Sequence, residues 1–361
     1  MIERPLLELA PDGAIPWVEL GDFPTPVEQV DLGRRGPLWV KRDDLSSPVY
    51  GGNKVRTLET LFGAAKDAGA TRIYSTGAFG SNHATATVLH APRVGLEPGV
   101  ILFPQPESAA AVENLRVILK SRPETVSMPH WSFLPLSMLW TERRDARRGV
   151  RASLMVPGGA TEVGALGYVS AALELARQVD EGALPAPARI VIGVGSTCTS
   201  AGLLLGLRVA AELGLGWTEP PRVVSARVTP WPVTSHLRIV GLAARTAARL
   251  ATLAGDRFAF DRRALGAGLE VDGRWLGGGY GEPTAEGRAA IRTFRERAGF
   301  ELDTTYSAKA AACAIDRLDA RPTLFWSTKS TAPLPEVTEA DWRWAPRRMT
   351  KWIERAQRLE A

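Results

Sequence analysis

The sequence predicts an α/β protein with mainly parallel sheets and enough chain for two domains. Short β-rich runs alternate with helix-period segments, and two of those runs end in polar turns that open a helix. The length, 361 residues with 45% hydrophobic and 23% charged content, is that of an ordinary globular protein of two domains. Candidate strands are residues 38–41, 72–74, 99–103, 153–156, 190–192, 223–226 and 324–326, with helices between them. No internal repeat or long low-complexity segment breaks the alternation.

In chain order, the first chemistry-bearing element is Ser46-Ser47-Pro48-Val49-Tyr50-Gly51-Gly52-Asn53-Lys54-Val55-Arg56. Its two glycines permit a tight turn and let a planar ring lie close to the backbone. Lys54 then starts a helix in which Val55, Leu58, Leu61, Phe62 and Ala65 keep helical spacing and pack inward. A lysine amine forms an imine with an aldehyde when it is partly neutral and held in place, so Lys54 is a candidate Schiff-base residue. A glycine turn capping an ordinary helix, with Lys54 in water, gives the same pattern.

The next element is the β-like run 71–74, which passes through Ser75-Thr76-Gly77-Ala78-Phe79-Gly80-Ser81-Asn82-His83 into an Ala/Val/Leu-rich helix. Strand, polar turn, helix is the layout of a ligand-facing loop. Residues 189–194 likewise run into Gly195-Ser196-Thr197-Cys198-Thr199-Ser200-Ala201-Gly202 and a further helix. Such a loop gathers backbone N–H groups and hydroxyls around one anion, although a plain βα turn has the same outline. Its spacing matches neither the dinucleotide G-x-G-x-x-G nor a Walker loop. Last, Pro333-Leu334-Pro335 precedes a tail in which Trp342, Met349, Trp352, Ile353, Ala356 and Leu359 make one apolar face, packed on the body or on a second subunit.

Composition narrows the function classes. The net charge is +5, but the one basic cluster, Arg143 to Arg151, has no interleaved aromatics or metal-finger spacing. A solvated surface is expected there, and no nucleic-acid partner. Two cysteines, Cys198 and Cys313, argue against a disulfide framework, and His83, His90, His130 and His236 show no metal-ligand spacing. The opening Met1-Ile2-Glu3-Arg4-Pro5 has no signal-like pattern and no apolar stretch is long enough to span a bilayer, so a cytoplasmic protein without a membrane partner is expected.

Gly-Gly-Asn-Lys, then Ser-Asn-His, then a Gly-Ser-Thr loop resembles the pyridoxal-phosphate enzymes of the 1-aminocyclopropane-1-carboxylate deaminase and D-cysteine desulfhydrase family, of the tryptophan-synthase-β fold type. The resemblance extends to Lys41-Arg42-Asp43-Asp44, Pro157-Gly158-Gly159-Ala160, Gly164-Ala165-Leu166-Gly167-Tyr168, Gly279-Tyr280-Gly281 and residues 302–310. It implies a fold type II enzyme of two domains, each with a mainly parallel sheet flanked by helices. The larger is expected over 1–56 and 159–361, including a helical tail at 336–361, and the smaller over 57–158, with the cofactor in the cleft and a homodimer as the assembly. By resemblance, Lys54 carries pyridoxal phosphate and takes the α-proton, with Asn53 beside it on the cofactor. Asn82 bonds the ring 3′-oxygen, and Ser81, with nearby N–H groups and His83, holds a small amino-acid substrate. Gly195, Ser196, Thr197, Cys198 and Thr199 hold the phosphate. Relatives are richer in glycine there, and Cys198 stands where a residue tolerant of unusual φ is expected.

Two further departures bear on the reaction. Where the cyclopropane deaminases have a Tyr-Glu pair, this chain has Tyr280-Gly281, and glycine cannot hold a protonated pyridine nitrogen. Where the desulfhydrases have Thr-Gly-Gly, it has Thr328-Lys329-Ser330, so Thr328 is the candidate partner of that nitrogen. A hydroxyl does not favour the pyridinium as a carboxylate does, which favours β-elimination over ring opening. Tyr280 is expected to close over the substrate as acid or base, or to stack as a structural ring. Lys329 narrows the pocket, recruits an acidic side chain or points to solvent. The expected activity is a desulfhydrase-like lyase giving a 2-oxo acid and ammonia. The alternatives are aminocyclopropane-carboxylate deaminase, a β-replacement transferase or racemase, and a non-catalytic binder of the cofactor.

Overall fold

The computed structural model describes residues 4–33 and 36–360, without the side chains of 359 and 360. The side chain of Leu359 and residues 1–3, both used above, lie outside the described residues. Among the described residues ten strands form two sheets. In chain order they are β1 (Val27–Val30), β2 (Leu38–Arg42), β3 (Arg72–Ala78), β4 (Glu97–Phe103), β5 (Glu124–Ser127), β6 (Ala152–Leu154), β7 (Arg189–Val194), β8 (Arg222–Arg227), β9 (Leu269–Asp272) and β10 (Thr323–Ser327). The larger sheet runs β1-β2-β10-β7-β8-β9 and is parallel except for β1 on β2; the smaller, β5-β4-β3-β6, is parallel throughout. All seven candidate strands occur, and residues 155–156 leave the smaller sheet toward Pro157.

Helices connect the strands: α1 (Asn53–Asp67), α2 (Asn82–His90), α3 (Ala109–Lys120), α4 (Leu134–Arg147), α5 (Glu162–Asp180), α6 (Cys198–Glu212), α7 (His236–Ala254), α8 (Arg262–Gly266), α9 (Ala285–Ala298), α10 (Ser307–Asp316) and α11 (Arg347–Glu360). The chain leaves the larger sheet after β2, builds the smaller one, and returns at β7, so the last strand β10 pairs between β2 and β7. That pairing brings the start of α1 beside the loops after β7 and β10. The tail differs from expectation. Met349, Trp352, Ile353 and Ala356 of α11 pack with Phe79, Val88, Leu102 and Leu115 of the smaller sheet and its helices, not with the larger unit. The reason is local: the Trp352 ring meets Phe79 edge-on at 5.5 Å and its Nε1 donates to the Gln105 carbonyl at 2.9 Å.

Behind α1 lies a buried ion cluster. Lys41 Nζ donates to Glu174 at 2.5 Å, and Arg56 donates to Glu174 and Asp43, each at 2.8 Å. Tyr168 Oη adds a 2.6 Å bond to Asp43. All five side chains are buried. The cluster ties β2, α1 and α5 together, with Arg56 two residues past Lys54. Removing one member of a buried pair leaves its partner uncompensated, at a cost of about 3–5 kcal/mol. Glu174→Gln is therefore expected to lower stability by that much in urea unfolding. Glu8→Gln, which breaks an exposed pair with Arg177, is expected to cost about 1 kcal/mol or less.

Candidate active site

The start of α1 and the loops after β3, β6, β7 and β10 enclose a cleft of about 600 Å³. The backbone of α1 is pinned there by the loop after β10. Asn53 N donates to the Thr328 carbonyl at 2.9 Å, and Gly52 forms an antiparallel bridge to Lys329. Gly52 has φ +90°, and a Cβ on it would lie 2.4 Å from the Thr328 oxygen. The glycine turn thus serves a different purpose from the one the sequence suggested: it admits the backbone of residues 328–330, where a planar ring was expected.

Lys54 Nζ faces the Gly158 carbonyl at 3.3 Å and Ser196 Oγ at 3.5 Å. Among the described residues no Asp or Glu lines the cleft, whereas Lys54, His83, Arg238 and Lys329 do. Burial without an acid partner holds the Lys54 amine below the ordinary lysine value, with Cys198 acting weakly the other way. His83 is 2% exposed and neither ring nitrogen has a partner among the described residues. Burial, and then the nearby Lys54, keep it well below the usual imidazole range, so it stands neutral. Asn53 Nδ2 donates to Thr199 Oγ1 at 2.9 Å, fixing α1 against α6.

The loop from Gly195 to Thr199 leads into the N-terminus of α6. Backbone N–H groups of residues 195–200 donate to nothing among the described residues, leaving a row of donors at a positive helix end. The unusual φ falls on Thr197, at +73°, and not on Cys198, which already has helical geometry. A β-branched residue in the left-handed region stores about 1–3 kcal/mol, and such strain clusters at functional loops. Cys198 does not contribute its side chain to the cleft: Sγ turns to the Gly159 carbonyl at 3.2 Å, and burial pushes the thiol up to about 11. Gly195, Ser196, Thr197 and Thr199 line the cleft.

On the opposite wall, Ser81 caps α2 by accepting from Ala84 N at 3.2 Å, which leaves its hydroxyl proton free to donate. The amides of Asn82 and His83 have no acceptor among the described residues. Asn82 Oδ1 is held by Tyr50 Oη at 3.0 Å and Asn114 Nδ2 at 2.8 Å, which assigns its Nδ2 as the remaining donor. Tyr280 Oη lies 2.9 Å from Tyr306 Oη, and burial raises both phenols. Thr328 closes this side, and Lys329 Nζ donates to Tyr50 Oη at 2.9 Å. Glu282 is turned onto Gly278 and Gly279, outside the cleft.

The structure therefore brings together every expected site residue except the Cys198 side chain. It adds Tyr50, Asn114, Gly158 and Tyr306. Tyr50 and Tyr306 stand inside motifs quoted above, but nothing in the sequence separates them from core tyrosines; Asn114 is a lone amide in an apolar helix. Among the described residues no group of three His, Cys, Asp or Glu is placed to hold a metal ion, and no helix is long and apolar enough to cross a membrane.

The family described as pyridoxal-phosphate dependent enzyme matches residues 18–324. The nocardicin C-9′ epimerase of Nocardia uniformis is 35% identical over 90% of this chain and 96% of its own. A D-cysteine desulfhydrase of Salmonella paratyphi B is 32% identical over 87% of this chain and 93% of its own. The solved structure of an ACC deaminase homologue is 28% identical, covers 91% of this chain and 96% of that one, and superposes with a TM-score of 0.72. A matched pattern over most of the chain, relatives of this identity and the cationic cleft agree: the chain belongs to the pyridoxal-phosphate dependent enzymes, and its cofactor is pyridoxal phosphate.

Proposed function

We propose that the protein is a lyase that removes a β-substituent and the amino group from a small amino acid, releasing a 2-oxo acid and ammonia. The observation that carries this reading is that, among the described residues, no carboxylate lines the cleft, while Thr328, the candidate partner of the ring nitrogen, does. A hydroxyl leaves the pyridine nitrogen neutral, so charge developing at Cα is best relieved by departure of a β-substituent. The desulfhydrase relative supports the same class.

The residues fit the cofactor. The free amides of 195–200, with the Ser196 and Thr199 hydroxyls, suit its phosphate, and Gly158 leaves room: a Cβ there would lie 2.2 Å from Ser196 Cβ. Asn82 Nδ2 suits the ring oxygen and Thr328 the ring nitrogen. Lys54 would hold pyridoxal phosphate until the substrate amine displaces it, and the cofactor would then supply the electron sink that acidifies the substrate Cα–H. Lys54 then takes the α-proton, its amine already biased toward the neutral form by burial. Ser81 and the amides of Asn82 and His83 hold the substrate carboxylate. Tyr280, its proton supported by Tyr306, protonates the leaving group. The boundaries 57–158 for the smaller unit, a homodimer and a cytoplasmic site are proposed on the family likeness.

A second reading follows from the epimerase relative: if a proton returns to the opposite face of Cα before the β-group leaves, configuration inverts and no ammonia forms.

Stoichiometric ammonia and pyruvate from β-substituted alanines, lost in Lys54→Ala, is the expected result; inversion without ammonia would sink the lyase reading. Tyr280→Phe is expected to keep the cofactor but slow release of a poor leaving group by about 100-fold. Gly158→Ala is expected to retain its far-ultraviolet circular dichroism yet lose the cofactor's absorbance on desalting. Recombination of apoenzyme with pyridoxal phosphate needs the neutral amine. Because burial lowers the Lys54 pKa, its rate is expected to rise with pH and level off below the ordinary lysine value of 10.5.

A further inference from the structure

Lys329 carries a charge in the cleft wall that no acid among the described residues answers directly. Its ammonium donates once, to Tyr50 Oη at 2.9 Å, and sits 4.8 Å from the centre of that ring. Two of its three donors are left over. Among the described residues no carboxylate lies within 4.0 Å of it to form an ion pair. Asp303 and Glu113 act on it only through space, and with the Tyr50 phenol they outweigh the effect of burial and keep the amine charged. Asp303 is occupied elsewhere, accepting from the amides of Thr305, Tyr306 and Ser307 at 2.8 to 2.9 Å.

The position of this cation sets its use. The bridge to Gly52 puts Lys329 against the turn two residues before Lys54. The phosphate end of the cleft has its own donors at α6, and the substrate carboxylate has Ser81 with the free amides of α2. Lys329 is spare to both. It lines the cleft and also a side recess of about 30 Å³, walled by Asn82, Gln105, Asn114, Tyr280 and Asp303. That volume is about that of one water, and the recess shares Asn82, Gln105, Tyr280 and Lys329 with the cleft, so the end of a substrate side chain can reach it. Asn82 and Asn114 are fixed to each other and to Tyr50, so the wall is set before a ligand arrives.

We propose that Lys329 makes the site selective for amino acids whose side chain ends in a carboxylate or similarly small anion, seated in this recess. The proposal rests on the lyase reading only for the identity of the reaction. For a β-thioether substrate, the Cα–H and Cβ–S bonds break, the sulfur leaves with the electron pair and gains a proton, and water replaces nitrogen, giving a thiol, pyruvate and ammonia.

The test compares S-carboxymethyl-cysteine with S-carbamoylmethyl-cysteine, both enantiomers, on the holoenzyme. The two differ in charge and little in size. The acid is expected to exceed the amide in kcat/KM by about tenfold, a ratio that falls to about one in Lys329→Met and is kept in Lys329→Arg. Lys329→Glu is expected to turn the preference toward S-(2-aminoethyl)-cysteine, which also shows that the variant folds. Calorimetry on the holoenzyme, with succinate against butyrate, reads binding without turnover: succinate is expected to bind more tightly, and Lys329→Met to remove the difference. Turnover with no preference for the acid, or a preference that survives Lys329→Met, overturns the proposal. So does equal weakening of succinate and butyrate, which would assign Lys329 to the α-carboxylate. A succinate preference lost in Lys329→Met, with no pyruvate from any substrate, upholds the anion site and overturns the lyase reading instead.

Discussion

Arg56, sealed between Asp43 and Glu174, is the interaction on which the site depends. Lys41 and Arg56 supply two positive charges and Asp43 and Glu174 two negative ones, so the group is neutral as a whole. Desolvation disfavours every member, and burial pulls Lys41 below its ordinary value even beside Glu174. The cluster is therefore poor evidence of net stabilisation. What it provides is position. Three elements far apart in sequence, β2, α1 and α5, must meet in one register to leave no charge unpaired, and that register fixes the first turn of α1 and Lys54 with it. The backbone bridge from Gly52 to Lys329 holds the same turn from the other side.

The cleft in front of that turn is electrostatically one-sided. The positive ends of α2 and α6 point their free amides into it, and cationic side chains line it with no carboxylate among the described residues. Such a field suits a ligand with a phosphate and a carboxylate, and burial, with no acid beside it, keeps the Lys54 amine toward neutrality. Thr197 shows the same region from the side of the backbone. Its left-handed conformation, at φ +73°, is unfavourable for threonine and stands in the loop whose amides have no acceptor among the described residues.

Much of this was legible in the sequence because it rests on short-range patterns. Apolar β-rich runs such as 190–192 and 324–326 become buried central strands, and strand, polar turn, helix marks the two ligand-facing loops. The strands β1, β5 and β9 were missed: each has four residues, and their burial is partial, so neither length nor alternation signals them. Contacts made at long range were also hidden. Nothing local says that Gly51 and Gly52 must admit the backbone of residues 44 and 328–330, or that the tail's apolar face finds Phe79. The unusual φ at 197 was placed one residue late, since sequence shows that a helix begins there but not where its last non-helical residue lies. Asn114 and Tyr50 both hold Asn82 by hydrogen bonds made from 32 positions away on either side.

The central claim is that the α-proton leaves once and the β-substituent follows. Its most direct test is proton magnetic resonance of S-substituted cysteine incubated with the enzyme in deuterium oxide. Elimination yields pyruvate bearing deuterium in its methyl group, one ammonia per substrate consumed, and unreacted substrate that keeps its configuration. Substrate recovered with deuterium at Cα and inverted configuration, with no pyruvate, would contradict it.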